Sequence, residues 1–192
     1  WVRSGLPGYT QGGSTNQLMN LSGLPDFKTE STNTVSIPTF LKNKWTKEGR
    51  YNEEVSKLNS YLSSHNMSMT VRNCLTYWLQ SWVREYGVDG FRCDTAKHVE
   101  YASWKTLKNA CVEALDDWKS KNPDKALDDS KFWMTGEVWD HGVYKDEYYT
   151  QGGFDSIINF STQGAGLLSK NRVAGTYQGF ADSINSDPDF NV

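Results

Sequence analysis

The sequence is short of the features that usually place a chain at a glance. It holds no run of about 18 apolar residues, the length a transmembrane helix requires. It has no positive surplus: 20 Lys and Arg face 23 Asp and Glu, a formal net charge of -3. A nucleic-acid partner would call for a basic patch, so the charge balance argues against one. Three cysteines are present, Cys74, Cys93 and Cys111, and none falls in a Cys-x-x-Cys pair, so a thiolate metal centre is not indicated. An odd number leaves at least one thiol unpaired within the chain. Cys93 and Cys111 occupy strand-like and helix-like apolar positions, where a buried free thiol is the default. There is no leader-like segment and no initiator Met, which suggests a piece of something longer. No internal repeat is visible. What the chain has in quantity is aromatic residues, 14% with eight Trp. They serve either an aromatic core or a surface that stacks on flat partners, sugar rings included, and composition by itself favours the core.

Residues 1 to about 50 read as an irregular loop region, punctuated by Gly5, Pro7, Gly8, Gly12, Gly13 and Pro25. A helix is indicated over Tyr51 to Leu62, with Val55, Leu58 and Leu62 on one side. The pattern sharpens after Ser68. Val71, Leu75, Trp78, Leu79, Trp82 and Val83 recur at helical spacing and stop before Gly87. Val88 to Cys93 is a short apolar run that predicts a buried strand. Trp104, Leu107, Cys111, Leu115 and Trp118 then form a helical stripe that ends before Pro123. Phe132–Gly136 and Phe154–Phe160 read as further buried strands, and helix-like segments follow Ser161 and run through Phe180 to Ile184. This alternation is an α/β pattern. The strands read as apolar throughout, as in a parallel sheet covered on both faces. Three strands cannot close a (β/α)8 barrel, which takes roughly 250 residues.

Two segments carry charge just past predicted strands: Gly90-Phe91-Arg92-Cys93-Asp94-Thr95-Ala96-Lys97-His98 and Thr135-Gly136-Glu137-Val138-Trp139-Asp140. Arg92 and Asp94, two apart, share a side of the chain, and the guanidinium would hold Asp94 ionised, as a nucleophile requires. Val138 and Trp139 suggest a hydrophobic wall at Glu137, which would keep a carboxyl protonated as a general acid requires. Taken singly, each segment is more often structural: an Arg–Asp ion pair or a solvated Glu. Two carboxylates at the C-terminal ends of successive parallel strands converge on one site. Strands lie roughly 4.8 Å apart, within reach of the 5–5.5 Å that retaining glycosidases set between their carboxyl groups.

These segments resemble glycoside hydrolase family 13, the α-amylase family, in particular its bacterial periplasmic or surface members. GFRCDTAKH is similar to the family's second conserved region and GEVWD to its third. Gly23-Leu24-Pro25-Asp26-Phe27 is similar to the additional region near the end of its domain B. The resemblance implies a partial (β/α)8 TIM barrel, about strands 4 to 6. Residues 1–50 would form the end of domain B and residues 51–192 the central part of the barrel. It implies retaining endo-hydrolysis of α-1,4-glucosidic bonds in starch-type α-glucans and maltooligosaccharides. Asp94 would be the nucleophile, Glu137 the acid/base and Arg92 the group that orients Asp94. Lys97 and His98 would line the aglycone side, and Trp139 would stack on glucose or pack behind Glu137. The resemblance also implies calcium, held by the Asp26 carboxylate and the His98 carbonyl. Substrate size points to an extracellular or periplasmic location.

The family's first and fourth conserved regions, with the third catalytic carboxylate, are absent from the chain. The expectation is therefore an incomplete fragment, weak or inactive without the remaining barrel segments. A transglycosidase, a debranching enzyme or a silent carbohydrate-binding remnant are the alternatives.

Overall fold

The computed structural model describes residues 1–3, 26–161 and 170–186. Along the chain come β1 (Val2–Arg3), β2 (Asp26–Phe27), α1 (Thr39–Lys47), α2 (Tyr51–Ser64), α3 (Val71–Tyr86), β3 (Gly90–Cys93), a 3₁₀ turn (Ala96–His98), α4 (Tyr101–Lys121), β4 (Trp133–Gly136), α5 (Glu147–Thr150), β5 (Ser156–Ile157) and α6 (Lys170–Ser186). The helices at 51, 71 and 101 and the strands ending at Cys93 and Gly136 match the sequence pattern. The α1 helix lies within the stretch read as irregular. Its sequence, TFLKNKWTK, has only Trp45 buried, so it lacks the apolar stripe that would have revealed it.

α3 begins and ends on clear local chemistry. Thr70 caps it, its hydroxyl accepting from the Asn73 amide at 3.3 Å. Gly87 stops it in the left-handed region, φ 69°, with its amide donating to the Val83 carbonyl at 2.9 Å. The bare Cα of Gly87 also lets the Trp118 ring of α4 approach; a Cβ there would stand 2.5 Å from Trp118 Cε2. α4 packs along α3, and its small buried residues Cys111 and Ala114 share one core with Val83 of α3. Arg72–Glu100 at 2.9 Å and Arg84–Asp117 at 2.7 Å stitch the two helices together.

β3, β4 and β5 form one parallel sheet in that order, with Gly90 opposite Trp133, Cys93 opposite Gly136, and Gly136 opposite Ile157. One face packs on α4 in the main core of Cys93, Leu107, Cys111, Leu115, Phe132, Met134 and Phe154. The other face corrects the sequence reading. Arg92 and Trp133 are exposed on it, and the Thr135 and Ser156 hydroxyls pair at 2.7 Å beside Trp133. Arg92, Trp133, Thr135 and Ser156 are polar or amphipathic, so this face is not the second apolar surface of a doubly covered sheet. The strand expected at Phe154–Phe160 is also shorter, Ser156–Ile157 only. A second core of Leu58, Tyr61, Leu62 and Cys74, with Trp1 and Trp78 against it, joins α2 and α3. Cys93 and Cys111 are buried free thiols, as anticipated, and Cys74 is a third.

Candidate active site

The C-terminal ends of β3 and β4 are laced together beyond the sheet. The Glu137 amide donates to the Cys93 carbonyl and the Ala96 amide to the Glu137 carbonyl, both at 2.8 Å. These bonds extend the parallel ladder and place Asp94 and Glu137 side by side. Between them Thr95 adopts a left-handed conformation, φ 46°, ψ 41°. A β-branched residue there costs on the order of 1–3 kcal/mol. The turn aims the Thr95 amide at Glu137 Oε2, 3.3 Å away. Sequence reasoning had no signal for this strain, because nothing in the residue type announces it.

Arg92 bridges the two carboxyls. Its Nη1 donates to Asp94 Oδ1 at 2.8 Å, and its Nη2 stands 3.1 Å from Glu137 Oε2. Asp94 is 68% exposed and Glu137 21%. The Asp94 carboxyl is held below the usual carboxylate range, chiefly by a side-chain hydrogen bond with Glu137 and then by Arg92. The hydrophobic wall expected at Glu137 is not there. Val138 turns into the core, and the Trp139 ring leans on Phe160 with centroids 5.1 Å apart. The immediate partners of the Glu137 carboxyl are instead a guanidinium and an amide.

The other expected site residues are distributed around this pair. Lys97 is half-buried and the His98 side chain buried on the 3₁₀ turn that follows Asp94. Trp139 is 56% exposed two residues beyond Glu137, so it is not a packing residue sealed behind it. Asp26 is paired on β2 opposite Arg3. Of the segment around it, Gly23, Leu24 and Pro25 lie outside the described residues. Asp26 and Val99, whose amide follows the His98 carbonyl, line one cavity of about 150 Å³. Leu75, Leu79, Leu107 and the cationic Arg72 line it as well. Calcium takes six to eight oxygen ligands. The Asp26 carboxylate and the His98 carbonyl fit its chemistry but not its coordination number. Among the described residues no cluster of three or more His, Cys, Asp or Glu side chains stands ready for a metal.

Beyond Trp139 lies a further feature that the sequence did not signal. His141 is fully buried, with Nδ1 2.7 Å from the Gly142 carbonyl and Nε2 3.2 Å from Asp146 Oδ2. Asp146 in turn caps α5 by accepting from the Tyr148 amide at 3.0 Å.

Two neighbouring parallel strands that present paired carboxyls at their C-terminal ends, joined by one guanidinium, are the arrangement of an α/β-barrel active-site edge. The model of the alpha-amylase catalytic domain matches residues 27–186, and the chain belongs to that family, glycoside hydrolase family 13. It is 47% identical over 163 residues to the periplasmic alpha-amylase of Escherichia coli (strain K12), covering 85% of this chain and 22% of that protein. It is 39% identical over 87 residues to an alpha-amylase of Streptomyces lividans, covering 45% of this chain and 8% of that protein. A crystal structure of an Anoxybacillus alpha-amylase aligns over 47% of this chain and 17% of its own, at 30% identity and a TM-score of 0.36. The chain thus spans about a fifth of the length of the E. coli relative.

Proposed function

We propose that this chain carries the reacting carboxyl pair of a retaining hydrolase of α-1,4-glucosidic bonds, acting on starch-type glucans. The observation that carries the reading is the Arg92 bridge, 2.8 Å to Asp94 and 3.1 Å to Glu137. One guanidinium touching both carboxyls keeps them close, which supports the short spacing of retaining enzymes, about 5–5.5 Å, over the roughly 6.5–9.5 Å of inverting ones.

In the first step Asp94 attacks the anomeric carbon while Glu137 gives its proton to the glycosidic oxygen. The C–O bond breaks, the aglycone leaves as an alcohol, and a glycosyl ester forms on Asp94. In the second step Glu137 takes a proton from water, the water oxygen bonds the anomeric carbon, and Asp94 departs as carboxylate. Two inversions give retention. Asp94, with its carboxyl held below the usual carboxylate range, is the group suited to attack as the anion, which leaves Glu137 the proton-transfer role. Arg92 orients both groups. Lys97 lines the aglycone side and Trp139 contacts the sugar through its exposed ring, whereas the buried His98 side chain supports the turn beneath them.

Residues 1–50 belong to the end of domain B and residues 51–192 to the central barrel. The half-covered sheet supports this, since a barrel lumen would lie on its Arg92–Trp133 face. A calcium ion would draw oxygen ligands from the Asp26 carboxylate and the His98 carbonyl, and would supply charge neutralisation and rigidity there. The likeness to a periplasmic relative supports an extracytoplasmic location.

The test is product analysis on maltoheptaose. Fresh reducing ends should appear in the α configuration. Asp94→Asn should abolish turnover, while Glu137→Gln should spare substrates with good leaving groups, which need little protonation. β-configured products, or near-normal activity of Asp94→Asn, would overturn the assignment. Transfer products in place of shorter sugars would mark a transglycosidase.

A further inference from the structure

The loop that leaves Glu137 holds two exposed aromatic rings, and both are braced from behind. Trp139 is 56% exposed and leans on Phe160. Tyr144 is 49% exposed and lies on the buried His141 ring, with centroids 4.2 Å apart and planes 24° from parallel. The brace under Tyr144 is rigid. His141 is 1% exposed, and its two nitrogens are fixed by the Gly142 carbonyl and Asp146. Its backbone amide donates to the Val138 carbonyl at 3.0 Å, folding the loop back towards Glu137 in a turn where Asp140 takes φ 67°. Its carbonyl accepts from the Phe160 amide at 2.9 Å, so the two braces are tied together. Gly142 makes room for the stack. A Cβ there would stand 3.4 Å from Tyr144 Cε1 and 3.1 Å from Ser161 Oγ.

We propose that Tyr144 is a substrate-binding platform, stacking on a glucosyl unit of the glucan beyond the one held at Trp139. A pre-positioned aromatic face binds the apolar face of a pyranose ring at lower entropic cost, because the stack on His141 already sets the ring's place. A residue serving only to cover His141 would not need a flat ring with half its surface open to solvent. The proposal rests on the hydrolase reading above.

The experiment compares wild type, Tyr144→Ala, Tyr144→Leu and Tyr144→Phe on maltoheptaose and on maltotriose, with melting temperatures measured alongside. Tyr144→Leu keeps an apolar cover over His141 and guards against a folding defect in the alanine variant. Loss of the ring should raise KM for maltoheptaose about tenfold and leave kcat within about twofold, the signature of lost uniform binding. Maltotriose, which offers fewer glucosyl units beyond the reacting bond, should be less affected, and Tyr144→Phe should behave as wild type. Unchanged KM in both Tyr144→Ala and Tyr144→Leu would overturn the proposal, as would a Tyr144→Phe defect equal to that of Tyr144→Ala. A wild type that neither binds nor cleaves maltoheptaose would instead overturn the hydrolase reading, and this proposal with it.

Discussion

Replacing Arg92 by Met removes the charge that joins the two carboxyls while keeping most of the side-chain volume. Unit charges about 4 Å apart attract by about 4 kcal/mol at an effective dielectric of 20. That figure must be discounted for Asp94, because Arg92 and Asp94 are 52% and 68% exposed. Screening leaves about 1 kcal/mol or less for such a pair. Glu137 is 21% exposed, so its contact with Arg92 falls in the range of hydrogen bonds to charged groups, about 1.5–3 kcal/mol. A combined loss of about 3 kcal/mol at the transition state would lower kcat/KM roughly 100-fold. The fold should lose much less. The stability tied to Asp94 ionisation is worth about 1 kcal/mol, or about 2–4 °C in Tm for a domain of this size. Its pH dependence has a fixed sign. The folded Asp94 carboxyl sits below its ordinary value of 3.8, so this contribution is present above 3.8 and fades as pH falls through the lower folded value. The Tm gap between wild type and Arg92→Met should therefore persist at neutral pH and close in strong acid. Full activity in Arg92→Met would refute the reasoning. So would a Tm drop above about 10 °C, which would make Arg92 a structural residue.

Three other outcomes follow from the same structure. Gly87→Ala combines a left-handed φ of 69° with a Cβ 2.5 Å from Trp118, and should destabilise by about 2 kcal/mol or more in a denaturant titration. Burial pushes the Cys93 and Cys111 thiols up to about 12 and Cys74 to about 11, so a thiol reagent at pH 8 should label none of them in the native chain and all three in denaturant. If calcium adds rigidity at Asp26 and His98, EDTA should lower the Tm of the calcium-loaded protein and added calcium restore it, whereas a Tm indifferent to both would remove the metal from the account.

The sequence made the site legible where chemistry has a periodic or positional signature. The apolar runs ending at Cys93 and Gly136 located the strands, and the charged residues just past them located Asp94 and Glu137. Helices α3 and α4 were visible because their buried faces repeat at helical spacing and Gly87 and Pro123 punctuate their ends. Other features were hidden because they depend on contacts between distant residues. The α1 helix buries only Trp45, so no stripe betrayed it. The exposed sheet face was misread because Phe91, Cys93 and Met134 dominate an alternation only four residues long. The surroundings of Glu137 were misread for a different reason. Neighbours in sequence, Val138 and Trp139, turn away from it, while Arg92 and Thr95 reach it across the strand gap. Nor did anything mark the His141–Asp146 lock, five residues apart in an irregular loop.

With Asp94 as nucleophile and Glu137 as acid/base, a retaining reaction passes through a glycosyl ester on Asp94. The most direct measurement treats the Glu137→Gln variant with maltosyl fluoride, whose fluoride leaves without help from an acid. The glycosyl ester should then accumulate, because no base remains to activate water. Peptide mapping by mass spectrometry should find one maltosyl group on the fragment containing Asp94, and no adduct in Asp94→Asn. An adduct on another residue, or none with fluoride still released at the wild-type rate, would contradict the account.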